Sequence, residues 1–208
     1  MLYIGIIVAI IQEKNVKKKR IILGSSSIFR KNLLKTLNID FESISPDIDE
    51  SILKGETAEE MVMRLAVDKA RKISTTTNNA LIISSDATAI CKNTILGKPL
   101  TKHKAKEILN FISGNSVKFM TALCVMDSDN NRYRSSISEY VIQIQNLSEK
   151  DIEKYIHDTN PLYSTAAFKY EDGKDLLVKD IKTIEKDMSG LIGLPLEKVR
   201  SYIGMMLD

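Results

Sequence analysis

Lys69 lies four residues from Leu65 and Ile73, three from Ala66 and seven from Val62. On a helix, that spacing puts an ammonium group on the apolar stripe, while Arg64, Asp68, Arg71 and Lys72 take the wet side. Such a lysine either snorkels to the surface along its methylene stem or reaches into a cleft. Two carboxylates give the second reading a purpose. Asp86 ends an apolar run, and Glu50 ends the acidic stretch Asp47-Ile48-Asp49-Glu50 after Ser45-Pro46. Each could be a helix cap or a solvated loop charge. Facing one cleft, the pair could instead hold Mg²⁺ or Mn²⁺ and activate a water.

The turn Gly24-Ser25-Ser26-Ser27, with Arg30 beyond it, has the composition of an anion cradle. Backbone N–H groups at a helix start and the hydroxyls of Ser25 and Ser27 can point at a phosphate. A helix end contributes only ~0.3–1 kcal/mol, so a triphosphate needs cations as well, and Arg30 stands where it can supply one. A serine helix cap beside a solvated arginine is the alternative. Metal-bound triphosphate would leave negative charge for Arg30, Lys69 and Lys98 to offset. The chemistry such a set can do is hydrolysis of a phosphoanhydride.

Other familiar machines are missing from the chain. Lys98 follows Gly97, but no glycine stands five residues before it and Pro99 replaces the Ser or Thr of a phosphate-binding P-loop. There is no G-x-S-x-G nucleophile elbow. His103 and His157 fall in polar helical stretches, which suits solvated side chains. Cys91 and Cys124 are the only cysteines, so neither a disulfide framework nor a structural zinc site is expected, and a reducing cytoplasm fits.

The elements that must position these groups alternate between strand and helix from Arg20 onward. Residues 21–23 read as a strand meeting the serine turn, and 28–38 as a helix with Leu33, Leu34 and Leu37 inward. Residues 41–44 form a second strand. Thr57 with Glu60 marks a capping box for a helix to about residue 73. Residues 80–84 are a strand running into Asp86, and Gly97-Lys98-Pro99 breaks a short extended piece. A helix over 102–112, a hairpin of 117–126 with 133–145, and a helix capped by Ser148 and Asp151 follow. Residues 161–168 and 176–184 look extended, and Pro195 opens a short final helix. The class is α/β, with a mixed, twisted sheet, flanking helices and two lobes around a central cleft.

Composition agrees with a folded, ordinary protein of 208 residues, 43% hydrophobic and 27% charged. Its formal charge is +3, yet residues 1–20 alone carry +4 and the rest −1. A general nucleic-acid surface is therefore not expected, and any polyphosphate site must be local. Residues 2–11 are apolar but too few to span a bilayer, which takes roughly 20, and the basic residues follow rather than precede them, unlike a secretory signal. Residues 1–20 read as an N-terminal extension and 21–208 as one domain, with no membrane partner.

Residues 21–203 resemble the Maf-like nucleoside triphosphate pyrophosphatases. The matching stretches are Leu23-Gly24-Ser25-Ser26-Ser27-Ile28-Phe29-Arg30, Ser45-Pro46-Asp47-Ile48-Asp49-Glu50, Arg64-Leu65-Ala66-Val67-Asp68-Lys69-Ala70, Ser85-Asp86, Gly97-Lys98-Pro99, Ser113-Gly114 and Gly193-Leu194-Pro195-Leu196. The resemblance implies hydrolysis of a nucleoside triphosphate to the monophosphate and pyrophosphate with a divalent metal, Mg or Mn, in a cytoplasmic homodimer. It puts Asp86 on the family's proton acceptor, Glu50 on its acidic partner, and Ser27, Arg30, Lys69 and Lys98 on phosphate-side positions.

Phe29, Ala87 and Glu171 bear on the choice of base. The family's dTTP and UTP branch has Arg, Thr and Gln at these places; its 7-methyl-GTP branch has an aromatic residue, Gln and Glu. Phe29 and Glu171 match the latter. A 7-methylguanine is cationic, so an aromatic face attracts it by ~0.5–2 kcal/mol, and a carboxylate can accept from its N1 and N2 donors. Phe29 as a core aromatic and Glu171 as a hairpin surface charge are the alternatives. Ala87 lacks the hydrogen bond of Gln or Thr, Ile28 replaces the usual Pro, Ala166 stands where the family tends to have Gly, and Lys174-Asp175 replaces a small Gly-containing segment. The readings kept beside the 7-methyl-GTP one are dTTP or UTP hydrolysis and a nucleotide-binding division regulator with little turnover.

Overall fold

The computed structural model describes residues 19–207. The apolar run 2–11 and most of the expected extension lie outside them. In chain order the elements are β1 (Arg20–Gly24), α1 (Ile28–Lys35), β2 (Glu42–Ile44), α2 (Ala58–Ser74), β3 (Ala80–Cys91), β4 (Thr94–Leu96), α3 (Lys102–Ile112), β5 (Ser116–Asp127) and β6 (Tyr133–Ile144). Then come α4 (Glu149–Thr159), the 3₁₀ turns Pro161–Tyr163 and Thr165–Ala167, α5 (Tyr170–Leu177), β7 (Val178–Lys182), α6 (Ser189–Ile192) and α7 (Leu196–Leu207).

Seven strands make one mixed sheet in the order β2-β1-β3-β5-β6-β7, with β4 beside β3. β1 pairs in parallel with β2 and β3, and every other pairing is antiparallel. The apolar core divides along the long strands. The first half of β3 is packed on one face by α2, through Val62, Leu65, Ala66 and Ile73, and on the other by α1 and α7, through Leu34, Val199 and Ile203. The second half joins a separate cluster built by α3, α4 and α5, with Ile108, Leu109, Ile152 and Leu177. The strands β3, β5 and β6 thus run through two lobes. Among the described residues, no helix is long and apolar enough to cross a membrane.

Local chemistry explains the boundaries. At the start of α2, Glu60 donates its amide to the Thr57 hydroxyl at 3.2 Å while its own carboxylate accepts from the Thr57 amide at 2.9 Å, closing the expected capping box. Ser148 and Asp151 repeat the device at α4. α3 stops where Gly114 takes φ +69, a backbone region glycine enters freely.

Three sequence expectations are corrected. β3 does not end near Asp86: it continues to Cys91, because its second half pairs with both β4 and β5. Residues 161–168 are not extended but form two 3₁₀ turns, with Asn160 left-handed before Pro161. Residues 176–184 are strand only over Val178–Lys182, and the helix Tyr170–Leu177 before it carries Glu171, which is therefore not a hairpin surface charge. The final helix is also longer than expected, at 12 residues.

Candidate active site

Lys69 is the centre of the site. Its Cα lies on the inward face of α2, its side chain is 7% exposed, and its ammonium reaches Asp86 Oδ1 at 2.5 Å and Glu50 Oε1 at 2.8 Å. The snorkelling alternative is thereby removed. Asp86 sits mid-strand on β3, in the same inward-facing register as Ser84, whose hydroxyl donates to the Ala66 carbonyl of α2. Strand alternation therefore aims Asp86 at α2, where Lys69 meets it. Glu50 comes from the loop between β2 and α2 and stays half exposed at 57%.

Arg30 supplies a second cation from α1. Its Nε donates to the Gly193 carbonyl at 3.0 Å and its Nη1 to Ser25 Oγ at 3.5 Å. Ser27 caps α1, accepting from the Arg30 amide at 3.5 Å. Arg30 is half-buried, so the alternative of a solvated arginine is set aside. Ser25 is buried beneath the turn, where its hydroxyl oxygen accepts from the Ser27 amide at 3.1 Å. It braces Arg30 and Ser27 and does not line the cleft, unlike the direct anion contact its spacing suggested.

The charges feel one another. Burial pushes the Glu50 carboxyl up, but the hydrogen bond from Lys69 and the positive charges of Lys69, Lys98 and Arg30 outweigh it, so Glu50 is held below the usual carboxylate range. Lys98 is lowered by burial first and then by Arg30 and Lys69, against Glu50 and Asp86. Arg30 is lowered by burial, with Asp86 and Glu50 opposing. Three cations face two carboxylates, leaving one net positive charge for an anion.

Beside this cluster opens a cleft. Ser27, Arg30, Lys98 and Gly193 line its charged end. Phe29, Ala87, Phe119, Tyr163, Phe168, Tyr170 and Glu171 line the other, with the Phe119 and Phe168 rings 4.9 Å apart at 40°. Phe29 is therefore a cleft wall and Glu171, in the first turn of α5, a helix residue at its rim. The geometry brings together the ten residues picked from the sequence, with Ser25 in a supporting position and the hydrogen-bonding place at Ala87 unfilled.

Several contributors escaped sequence reasoning. Arg64 does not simply face water: its guanidinium forks onto Glu56 at 2.5 and 2.8 Å and donates to the Ser51 carbonyl at 3.1 Å. That clamp fixes the loop carrying Glu50. Glu56 is accordingly held down at about 2, chiefly by the Arg64 hydrogen bond. The Gly193 carbonyl accepts from both Arg30 and Ser85, a role carried by backbone and visible in the sequence only as the stretch Gly193-Leu194-Pro195-Leu196. Thr121, whose hydroxyl donates to the Gly190 carbonyl at 2.7 Å, gave no signal.

For a divalent ion the donor set is sparse. Among the described residues there is no group of three or more His, Cys, Asp or Glu side chains that could hold one. Glu50 and Asp86 each give Lys69 a single oxygen. That leaves one oxygen apiece, which fits Mg²⁺, an ion usually bound through one or two carboxylates plus substrate phosphates and waters.

Comparisons with known proteins identify the family. The family model described as Maf-like protein matches residues 20–206. A protein of Colwellia psychrerythraea named 7-methyl-GTP pyrophosphatase is 38% identical over 181 residues, 87% of this chain and 90% of its own. Proteins of the same name from Pseudoalteromonas translucida and Pseudomonas aeruginosa are each 38% identical, covering 89% and 90% of this chain and 91% and 95% of their own. With the match running from the first strand to the last helix, the chain belongs to the Maf-like protein family.

Proposed function

We propose that this nucleoside triphosphate pyrophosphatase takes a nucleotide with a cationic purine, of the 7-methyl-GTP kind, and releases the monophosphate and pyrophosphate. The observation that carries the reading is Lys69 bridging Glu50 and Asp86 at the charged end of an aromatic cleft that also holds Phe29 and Glu171. The relatives' shared name supports it.

In this reading Arg30, Lys98 and the start of α1 at Ser27 take the triphosphate. Asp86 accepts the proton of a water whose oxygen attacks the α-phosphorus. The bond from the α-phosphorus to the bridging oxygen breaks, and the pyrophosphate leaves with its electron pair. Lys69 aims Asp86 and ties Glu50 to the same point. Glu50 and Asp86 are the residues that would hold Mg²⁺ or Mn²⁺, which supplies charge neutralisation at the phosphates when bound. At the far end Phe29 offers a face to the base and Glu171 an acceptor for ring N–H groups. Ala87 leaves a smaller, less polar floor than Gln or Thr, so discrimination leans on those two side chains.

The test is pyrophosphate release from 7-methyl-GTP, GTP, dTTP, UTP and CTP with Mg²⁺ or Mn²⁺. The highest kcat/KM is expected for 7-methyl-GTP, and Phe29→Ala should lower it about tenfold relative to GTP, the scale of one cation–π contact. Equal loss across all five nucleotides would remove stacking from the account, and a pyrimidine preference would move the chain to the other branch.

A further inference from the structure

Tyr155, on α4, lines no wall of the cleft and has no part in the chemistry above. Its hydroxyl nevertheless closes two backbone gaps in the segment that forms the base-side wall. It donates to the Ala167 carbonyl at 3.0 Å and accepts from the Lys169 amide at 2.8 Å. The residue between them is Phe168, whose ring lines the cleft. The tyrosine itself is 2% exposed, and burial pushes its hydroxyl up to about 12, so it stays protonated and able to donate. The ring is seated so closely against α5 that a Cβ on Gly173 would stand 2.5 Å from it.

The segment it holds is not at rest by its own preference. Ala166 and Ala167 take φ of 53° and 54°, where the Cβ of an L-residue crowds the carbonyl oxygen. Something outside the segment must keep it there. Two further backbone bonds join the same segment to the loop bearing Lys98: the Ala166 amide donates to Gly97 at 2.9 Å, and the Leu100 amide to Leu162 at 3.0 Å. They bracket Lys98 and Pro99. Phe168, Glu171 and Lys98 therefore belong to one connected wall that lines both ends of the cleft.

We propose that Tyr155 is a positioning residue for nucleotide discrimination: its hydroxyl latches the left-handed turn and so sets the spacing between the base-side wall and the phosphate-side lysine. This rests on the substrate site proposed above. Its test uses as reference whichever nucleotide the wild-type enzyme prefers, so failure of the 7-methyl-GTP assignment leaves the latch independently testable.

Tyr155→Phe keeps the ring and removes the hydroxyl, leaving a buried carbonyl and amide without their partner. We expect KM for the preferred nucleotide to rise about tenfold and the advantage over the other nucleotides to shrink. The value of kcat should stay within about twofold, since Asp86, Lys69, Glu50 and Arg30 sit on other elements. Inhibition by inorganic triphosphate, which has no base, should also stay within about twofold. The double variant Tyr155→Phe with Ala166→Gly should recover discrimination, because glycine takes the left-handed backbone without crowding. A KM that does not move, a fall in kcat shared by all nucleotides, triphosphate inhibition weakening in step with KM, or a double variant no better than the single one would each overturn the latch.

Discussion

At and beside the charged end of the cleft, five side chains arrive from five separate pieces of the chain: Arg30 from α1, Glu50 from the loop after β2, Lys69 from α2, Asp86 from β3 and Lys98 from the loop after β4. Arg30, Glu50, Lys69 and Asp86 are held mainly by side-chain contacts to one another and to a carbonyl, while Lys98 rides on the loop that backbone bonds tie to the base-side wall. The base-side wall is the opposite case. Residues 161–171 are one continuous stretch, fixed by backbone hydrogen bonds to the 97–100 loop and by the Tyr155 hydroxyl. Charge at the first end can be removed one group at a time without moving the scaffold. At the second, one lost tie shifts several groups together. Substitutions at the charged end should therefore change kcat alike for every nucleotide, whereas those at the wall should change selectivity.

The largest effect that could break this contrast is at Asp86. Asp86→Asn retains shape and a hydrogen-bonding group but cannot take a proton from water. We expect kcat to fall roughly a thousandfold by the same factor for each nucleotide, with KM little changed, as read by pyrophosphate release. Lys69 keeps Glu50 as a partner in this variant, so the protein should still fold. Near-normal turnover would take the proton-accepting role from Asp86, and a loss that depends on the base would erase the division between the two ends.

A smaller effect is expected one layer away. Arg64→Ala releases the clamp on Glu56 and the Ser51 carbonyl, freeing the loop that carries Glu50. With Glu50 less firmly held, kcat should drop about tenfold. The metal concentration for half-maximal rate should rise as well, with nucleotide preference unaltered. An unchanged metal requirement would separate Arg64 from Glu50.

The same contrast explains what could be read in advance. Lys69 was legible because a charge on an apolar helical stripe is a conflict between periodicity and chemistry, and Glu50 and Asp86 because carboxylates beside apolar runs stand out. The capping boxes at Thr57 and Ser148 depend on neighbours three residues away, so they too were visible. The continuation of β3 past Asp86 was not, since the partners that extend it, β4 and β5, are distant pairings. Nor was the geometry of 161–177: left-handed alanines violate local preference, and only tertiary bonds from Gly97 and Tyr155 hold them. Seven family-like motifs located the site without showing what Gly193 contributes, because a carbonyl has no side-chain signature.

The smallest expected effect sharpens the comparison through pH. Glu56 is held down at about 2 from an ordinary 4.5, first by its hydrogen bond from Arg64. A carboxyl whose folded value lies below its unfolded one binds protons less readily in the native state. Its stabilisation is complete above about 4.5 and is lost progressively as pH falls toward about 2. Glu56→Gln removes that component alone. Urea midpoints of the wild-type and Glu56→Gln proteins should differ most above pH 5, roughly, and converge on acidification; curves that stay parallel would mean that the clamp does not form in solution. The wall has no comparable weakness in acid, since the Tyr155 hydroxyl does not ionise until about 12. Acid should therefore loosen the charged end first, and nucleotide preference should outlast catalytic rate as pH is lowered.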